Sequence, residues 1–220
     1  MNKTFLLGEL FCGPGGMALG AKLSTPQKSA DSEVYSISHV WGVDKDIDAI
    51  DTYNANDLGE GIQSDALAFI DTTKKCEHKT IADFKRISAL AFGFPCNDFS
   101  SVGVKKGLQG KFGSLYKAGV KAINLANPKW FVAENVSGIH SADSGTAFTK
   151  ILSELEHAGS YGYDLTVHLY KFEDYGVAQR RHRYIIVGIR KDQNVKFKVP
   201  APTHLNTHIS AKEKLSEPYE

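Results

Sequence analysis

Cysteine and proline are scarce in this chain, and it has no long apolar segment. Among its 220 residues there are 3 Cys and 7 Pro. The cysteines, at positions 12, 76 and 96, lack the CxxC spacing of a zinc site and are too few for a disulfide framework. No apolar run approaches the roughly 20 residues that span a bilayer, and the first residues become acidic too soon for a signal peptide. We therefore expect a soluble, cytoplasmic protein (associated with the nucleoid if it is bacterial), with no membrane-spanning segment and no metal.

Charge is the property that is unevenly distributed. The whole chain carries a net charge of +1, with 42% hydrophobic and 23% charged residues, which is typical of a folded globular domain. Residues 1–100 contain 9 Lys and Arg against 14 Asp and Glu, whereas residues 101–220 contain 17 against 11. A basic second half indicates a surface that faces a polyanion. Ordinary scatter of surface charge is the alternative.

Apolar runs alternate with segments of helical spacing along most of the chain. Strands are predicted at residues 4–11, 34–44, 87–94, 130–134 and 184–189. Helices are predicted at residues 17–23, 46–54, 115–126 and 148–157, with Asp46 as an N-cap. This alternation predicts an α/β fold with a doubly wound, mostly parallel sheet in residues 1–190. Residues 191–220 are polar, lack periodicity and are predicted to form a tail or linker.

The chemically distinctive residues follow the predicted strands. They are the glycine-rich segment 13–16, Asp44, Cys96 and Glu134. In an open parallel sheet, ligands bind outside the carboxyl ends of the strands, because those ends meet at one edge. The sequence therefore predicts an active site at this edge.

The glycine-rich turn Phe11-Cys-Gly-Pro-Gly-Gly16 allows the backbone to approach a ligand closely, although it does not match the GxGxxG pattern of dinucleotide-binding folds. Asp44 ends the next strand, where a carboxylate is suited to accept hydrogen bonds from ribose hydroxyls. Asp65, after a further strand, is suited to accept a hydrogen bond from an adenine amino group. For both acids, a helix cap or a solvated turn is an equally good interpretation.

Cys96 and a cluster of arginines are candidates for chemistry on a ligand. Cys96 follows a strand and Pro95, a location that suits a reactive thiolate, although a buried cysteine is more often an inert apolar residue. Glu134 ends another strand, so we expect its carboxylate to meet the thiol across the crevice. The segment Gln179-Arg-Arg-His-Arg183 directly precedes an apolar strand, which favours binding of phosphate or base over a merely solvated face.

Five segments, in this order, resemble the cytosine-C5 DNA methyltransferase family. They are Phe11-Cys-Gly-Pro-Gly-Gly16, Trp41-Gly-Val-Asp44, Gly93-Phe-Pro-Cys-Asn-Asp-Phe-Ser100, Glu134-Asn-Val136 and Gln179-Arg-Arg-His-Arg183. The resemblance covers residues 4–190 and implies a Rossmann-like S-adenosylmethionine-dependent methyltransferase fold. It also implies transfer of a methyl group from S-adenosylmethionine to C5 of cytosine in duplex DNA, as in a restriction–modification system.

The catalytic roles implied by the resemblance fall on four residues. Cys96 attacks C6 of a cytosine extruded from the duplex, and Glu134 holds or protonates N3. Arg183 lies on the O2 side of the base, and Arg181 organises the loop. After methyl transfer to C5, loss of the C5 proton and elimination free the thiol. The residues expected to contact S-adenosylmethionine are Phe11, Gly13, Gly15, Gly16, Asp44, Lys45, Asp65 and Pro95.

Three departures from the family's pattern concern two residues and the length of the chain. Asn97 stands in place of the more common glutamine, and Asp44 in place of the more common glutamate; we expect both to be tolerated. Only 30 residues follow Arg190, too few for a target-recognition region and two further motifs. We therefore expect a catalytic part that is weakly active or inactive alone. It belongs either to a split enzyme with a complementing subunit or to a truncated one.

Two other functions remain open. A tRNA cytosine-C5 methyltransferase has the same scaffold without a large recognition region, although the residues after Cys96 resemble those of DNA-acting members. The alternative from a different class is a non-catalytic scaffold subunit of the same fold. Because such subunits tend to lose the nucleophile or the acid, the presence of Cys96, Glu134 and Arg183 makes this alternative the weaker one.

Overall fold

The strands of this protein form one sheet in the computed structural model, which describes residues 2–24, 27–28, 34–71, 84, 86–94 and 115–216. The strands are β1 (Asn2–Leu10), β2 (Gln27–Lys28), β3 (Val34–Asp44), β4 (Glu60–Gln63), β5 (Ala89–Gly93), β6 (Trp130–Val136), β7 (Tyr163–Lys171) and β8 (His182–Arg190). Their order is β2-β3-β1-β5-β6-β8-β7, with β4 also paired to β3. The pairs β1–β3, β1–β5, β3–β4 and β5–β6 are parallel, and β2–β3, β6–β8 and β7–β8 are antiparallel.

Helices cover both faces of this sheet. The α-helices are α1 (Gly16–Leu23), α2 (Ile47–Ala55), α3 (Ala66–Ile70), α4 (Tyr116–Ala126), α5 (Thr146–Glu156) and α6 (Ala211–Ser216). Successive residues of β5 face opposite sides: Leu90 and Phe92 join the core formed with α4 and α5, whereas Ala89 and Ala91 join a second core near α1. The arrangement confirms the predicted α/β fold with a mostly parallel, doubly wound sheet.

One strand in the C-terminal half of the chain differs from the sequence prediction. β7 was not predicted, because its polar residues, such as Asp164 and His168, interrupt the apolar pattern; among the described residues, this strand pairs with β8 alone. The polar segment after residue 190 packs against the 3₁₀ helix Phe172–Tyr175. The backbone N atoms of Thr203 and His204 both donate to the carbonyl of Asp174. The division of the chain at residue 190 stays a prediction.

Within the described ranges, no helix has both the length and the apolar character required to cross a membrane.

Candidate active site

The glycine-rich turn between β1 and α1 adopts an uncommon backbone conformation. Phe11, Gly13 and Gly15 have φ values of 55°, 53° and 98°, in a region that residues with a Cβ rarely adopt. A Cβ atom at Gly15 would also lie 2.3 Å from a methyl carbon of Leu58. The backbone N of Cys12 donates to the carbonyl of Val43 at 3.1 Å. The turn is therefore hydrogen-bonded to β3 and packed closely against Leu58.

Asp44 supports this turn with both of its carboxylate oxygens. Oδ2 accepts a hydrogen bond from the backbone N of Gly13 at 2.9 Å, and Oδ1 accepts one from the backbone N of Asp46 at 3.0 Å. Each carboxylate oxygen has two lone pairs, so each retains capacity to accept from a hydroxyl. Asp46 in turn caps α2, as predicted, by accepting from the backbone N atoms of Asp48 and Ala49.

Asp65 and Lys45 lie near the ends of β4 and β3 and do not line the cleft described below. Oδ1 of Asp65 accepts hydrogen bonds from the backbone N atoms of Leu67 and Ala68 at 2.9 and 3.1 Å, so this residue caps α3. Lys45 is exposed, and its carbonyl accepts from Gln63 Nε2 at 3.5 Å. The capping interpretation of Asp65 is therefore correct, and the contact of both residues with a cofactor stays a prediction.

Glu134 meets two arginines near the end of β6. Its Oε1 lies 2.8 Å from Nε of Arg183 and 3.7 Å from a terminal guanidinium nitrogen of Arg181. β8 is antiparallel to β6, with Val136 opposite Arg183. The first residues of β8 therefore lie beside the last residues of β6. The side chain of Glu134 is 25% exposed, so the ion-paired carboxylate is accessible from solvent.

The glycine-rich turn and Glu134 share one cleft, with a volume of about 510 Å³. The lining residues that bear on function are Phe11, Cys12, Gly16, Met17, Gly93, Glu134 and Arg181. Gly93, at the end of β5, is opposite Glu134 in the sheet register, and a Cβ atom there would lie 3.4 Å from Glu134 Oε2. The structure thus brings together the turn and the acid that the sequence analysis singled out separately.

Two residues singled out from the sequence, Pro95 and Cys96, lie outside the described residues. The segment that leads to them is held by Asn135, which is 1% exposed and donates from Nδ2 to the carbonyl of Phe94 at 3.1 Å. Asn135 belongs to the Glu134-Asn-Val136 segment, yet the sequence alone did not indicate this structural role. Its amide joins the end of β6 to the residue that follows β5.

Cys12 is the one cysteine among the described residues, and it also lines the cleft. Burial, together with the nearby carboxylates of Glu9 and Asp44, raises the pKa of its thiol well above the ordinary range. Because the thiolate is the nucleophilic form, Cys12 is suited to anchoring the turn in the buried cluster that includes Tyr53 and Leu58, and not to attack on a substrate.

Glu9 is a further residue of the cleft that the sequence analysis missed. It is 1% exposed, its Oε2 lies 3.3 Å from His39 Nε2, and burial raises the pKa of its carboxyl. A charged residue within the apolar run of residues 5–11 was the available signal. Among the described residues, no group of three or more His, Cys, Asp and Glu side chains could hold a metal ion.

Comparisons with known proteins agree on one family. The profile of C-5 cytosine-specific DNA methylases matches residues 5–218. The Type II methyltransferase M.BbvI of Brevibacillus brevis is 49% identical over 97% of this chain and 56% of its own length, and M.NgoFVII of Neisseria gonorrhoeae is 35% identical over 94% and 49%. The chain therefore spans about half the length of these relatives.

A solved structure supports the fold independently. The S. pombe Dnmt2 methyltransferase superimposes with a TM-score of 0.58 at 16% identity, over 96% of this chain and 56% of that one. Identity this low bears on the fold alone, whereas the profile match and the relatives cover nearly the whole chain. This chain belongs to the C-5 cytosine-specific DNA methylase family.

Proposed function

We propose that this chain is the catalytic part of an enzyme that transfers a methyl group from S-adenosylmethionine to C5 of cytosine in duplex DNA. The observation that carries the proposal is the shared cleft: residues of the glycine-rich turn line the same cavity as Glu134 and Arg181. Its volume of about 510 Å³ is within the usual range for small-molecule sites. Family membership supports the choice of cytosine and of the methyl donor.

The residues around the turn fit a nucleoside-containing cofactor. Neither Gly13 nor Gly16 has a heavy atom within 4 Å of an ideal Cβ position, apart from the neighbours along the chain, so a ligand has room to contact the backbone there. Asp44 keeps free lone pairs after its two bonds to the backbone. We assign it to ribose hydroxyls, with Phe11, Gly13, Gly15 and Gly16 along the cofactor. S-adenosylmethionine supplies an electrophilic methyl group when it is bound.

The chemistry on the base is assigned to Cys96, Glu134 and Arg183. The thiolate of Cys96 forms a bond to C6, and the electrons of the C5–C6 double bond move towards C5, C4 and N3. Glu134, as a carboxylic acid, donates its proton to N3 and so neutralises this charge, and Arg183 holds the resulting carboxylate through its contact at 2.8 Å. As C5 takes up the methyl group, N3 returns its proton to Glu134; a base then removes the C5 proton, and the C5–C6 double bond reforms as the thiolate of Cys96 leaves.

We assign recognition of a DNA sequence to a region or subunit other than these 220 residues. The relatives are nearly twice as long as the matched region, and base contacts are what give a DNA-binding protein its specificity. We propose that a complementing region or subunit supplies them, so that the isolated chain transfers methyl groups weakly or not at all.

Transfer of a tritiated methyl group tests the proposal. The chain is incubated with S-adenosylmethionine and either duplex DNA or tRNA. Each reaction is run with and without the part of M.BbvI outside the matched 56%. We expect label in DNA, mainly when the complementing part is present, and a loss of about 10²-fold or more for Glu134→Gln, because a general acid–base group contributes that much.

The control is Glu156→Gln, on the exposed surface of α5, where the acid forms a 3.7 Å ion pair with Lys191. This variant should retain full activity. Label in tRNA alone would assign the chain to RNA, and no label in either substrate would favour a scaffold subunit.

A further inference from the structure

Glu173 is a buried acid that the proposed reaction does not use. It lies in the 3₁₀ helix Phe172–Tyr175, between β7 and β8, and is 8% exposed. Among the described residues, the other buried polar or charged side chains are Glu9 and Asn135. Removing a carboxylate from water is costly unless it is paired and hydrogen-bonded. The partners of Glu173 therefore indicate what it does.

Both oxygens of Glu173 hold the start of β8. Oε1 lies 2.7 Å from His182 Nε2, and Oε2 accepts a hydrogen bond from the backbone N of Arg181 at 3.3 Å. The backbone N of Phe172 donates to the carbonyl of Arg181 at 3.0 Å. The hydrogen bond with His182 is the main reason that the pKa of Glu173 is lowered to about 2. The carboxylate thus links the beginning of the connection between β7 and β8 to its end at Arg181 and His182.

Glu173 contacts the backbone of Arg181 and the side chain of His182. The two arginines that contact Glu134 are Arg181 itself and Arg183, the residue after His182. Arg183 and Arg181 approach Glu134 Oε1 to 2.8 and 3.7 Å. Side chains alternate between the two sides of an extended chain, so positions 181 and 183 project to one side and His182 to the other. Glu173 therefore contacts the backbone of Arg181 and the side chain of His182, on the side of the segment that faces away from Glu134. It fixes the segment from which both guanidinium groups extend.

We propose that Glu173 and His182 form a positioning pair that sets Arg181 and Arg183 on Glu134 and so sustains cytosine recognition. This inference rests on the proposed function, in which Glu134 acts on the base. Neither side chain of the pair lines the cleft, so the pair acts through the arginines. A guanidinium binds a carboxylate within a narrow range of geometries. A shift in the backbone of residues 181–183 therefore weakens the hold on Glu134.

The geometric part of the proposal is tested without any measurement of activity. The side-chain Nε–H of Arg183 is observed by ¹⁵N NMR in the whole chain, and its exchange with water is measured. In Glu173→Ala we expect exchange about tenfold or more faster, the equilibrium equivalent of losing bonds to a charged group. Glu173→Gln, which keeps an acceptor for the backbone N of Arg181, should recover part of the protection.

Asp174→Asn is the matched control. Asp174 lies in the same 3₁₀ helix, and its carboxylate contacts His208 at 2.8 Å. Exchange at Arg183 should not change in this variant. If Glu173→Ala fails to fold, His182→Ala removes the contact with Oε1 alone and should give the same direction of change. Unchanged exchange at Arg183 in a folded variant of either residue overturns the proposal.

The functional part uses duplex DNA that contains 5-fluorocytosine, whose fluorine blocks the final elimination and retains the adduct. With the complementing part present, Glu173→Ala should form adduct about tenfold more slowly, with an unchanged Kd for S-adenosylmethionine. Equal losses in adduct formation and cofactor binding would indicate a merely structural role and contradict the proposal. If the unaltered chain forms no adduct, the proposed function fails, while the NMR result still decides whether the pair positions the arginines.

Discussion

Three carboxylates in this chain differ in what holds them, and their partners explain their different uses. Asp44 is held by two backbone N–H groups and keeps lone pairs for a ligand. Glu134 is held by guanidinium groups at the edge of a cleft. Glu173 is buried and bonded to a histidine and a backbone N–H. The first two are therefore suited to contact ligands, and the third to hold a segment in place.

Replacement of Asp44 tests the support of the glycine-rich turn. Asp44→Ala removes the hydrogen bonds to the backbone N of Gly13 and Asp46. We expect the Kd for S-adenosylmethionine to rise by about tenfold or more, because bonds to charged groups contribute about 1.5–3 kcal/mol. Calorimetric titration measures it, with Asp48→Asn as the control on an exposed position of α2. An unchanged Kd for Asp44→Ala would show that the turn does not depend on this acid.

Acid titration tests the pairing of Glu173. Its pKa falls from an ordinary value of 4.5 to about 2 in the folded protein. A lowered pKa stabilises the fold above the unfolded value, and that contribution is lost as the pH falls towards about 2. The unfolding free energy of the unaltered chain should exceed that of Glu173→Gln above pH about 4.5, with the difference shrinking below it. A difference that stays constant across this range contradicts the pairing.

The functional residues that the sequence predicted are those that belong to a recognisable local sequence pattern. Glu134 lies in β6, Arg181 directly precedes β8 and Arg183 lies in β8, all in recognisable sequence segments, and the structure brings them into contact. Glu173 was not predicted, because its contacts cross a strand connection and no local pattern marks them. Glu9 was missed although its charge interrupts the apolar run of residues 5–11 in the sequence.

At the scale of elements, the direction of β8 explains how an arginine at the start of one strand meets an acid near the end of another. Because β8 is antiparallel to β6, Arg183 lies opposite Val136. The parallel strands β1, β5 and β6 bring the glycine-rich turn, Gly93 and Glu134 to the same edge. Strand direction therefore decides which residues meet in the cleft.

Close packing of α4 on β5 gives a prediction for stability. A Cβ atom at Gly119 would lie 2.4 Å from the ring of Phe92, whereas one at Gly20 of α1 would meet nothing within 4 Å. Gly119→Ala should lower the free energy of unfolding by about 1–3 kcal/mol, through overpacking. Gly20→Ala should leave it unchanged or raise it by up to about 1 kcal/mol. Urea unfolding measures both, and equal effects would contradict the close contact.

The strands that were predicted correctly are those that contain an apolar run, and the helices that were predicted correctly have helical spacing of apolar residues. β1, β3, β5, β6 and β8 have such runs, and α2 has a capping residue in addition. β7 mixes polar and apolar residues on an edge strand, so its pattern is weak. The short helix α3 also escaped prediction, because five residues are too few to show a helical period.

At the scale of the whole molecule, the chain provides a cleft and spans about half the length of the relatives that it matches. The cleft contains groups suited to a cofactor and to a base, whereas the relatives have about as much chain again. The fold was predictable because apolar runs and segments of helical spacing alternate along the sequence. The closeness of the turn to Glu134 was inferred from the same order, although the contacts that fix it come from distant segments.

We propose that the methyl transfer proceeds through a covalent adduct with Cys96. The most direct measurement is peptide mapping by mass spectrometry after reaction with S-adenosylmethionine and 5-fluorocytosine DNA, in the presence of the complementing part. We predict that the DNA adduct maps to Cys96, persists in Cys12→Ala and disappears in Cys96→Ser. An adduct on Cys12, or one that persists in Cys96→Ser, would contradict the account.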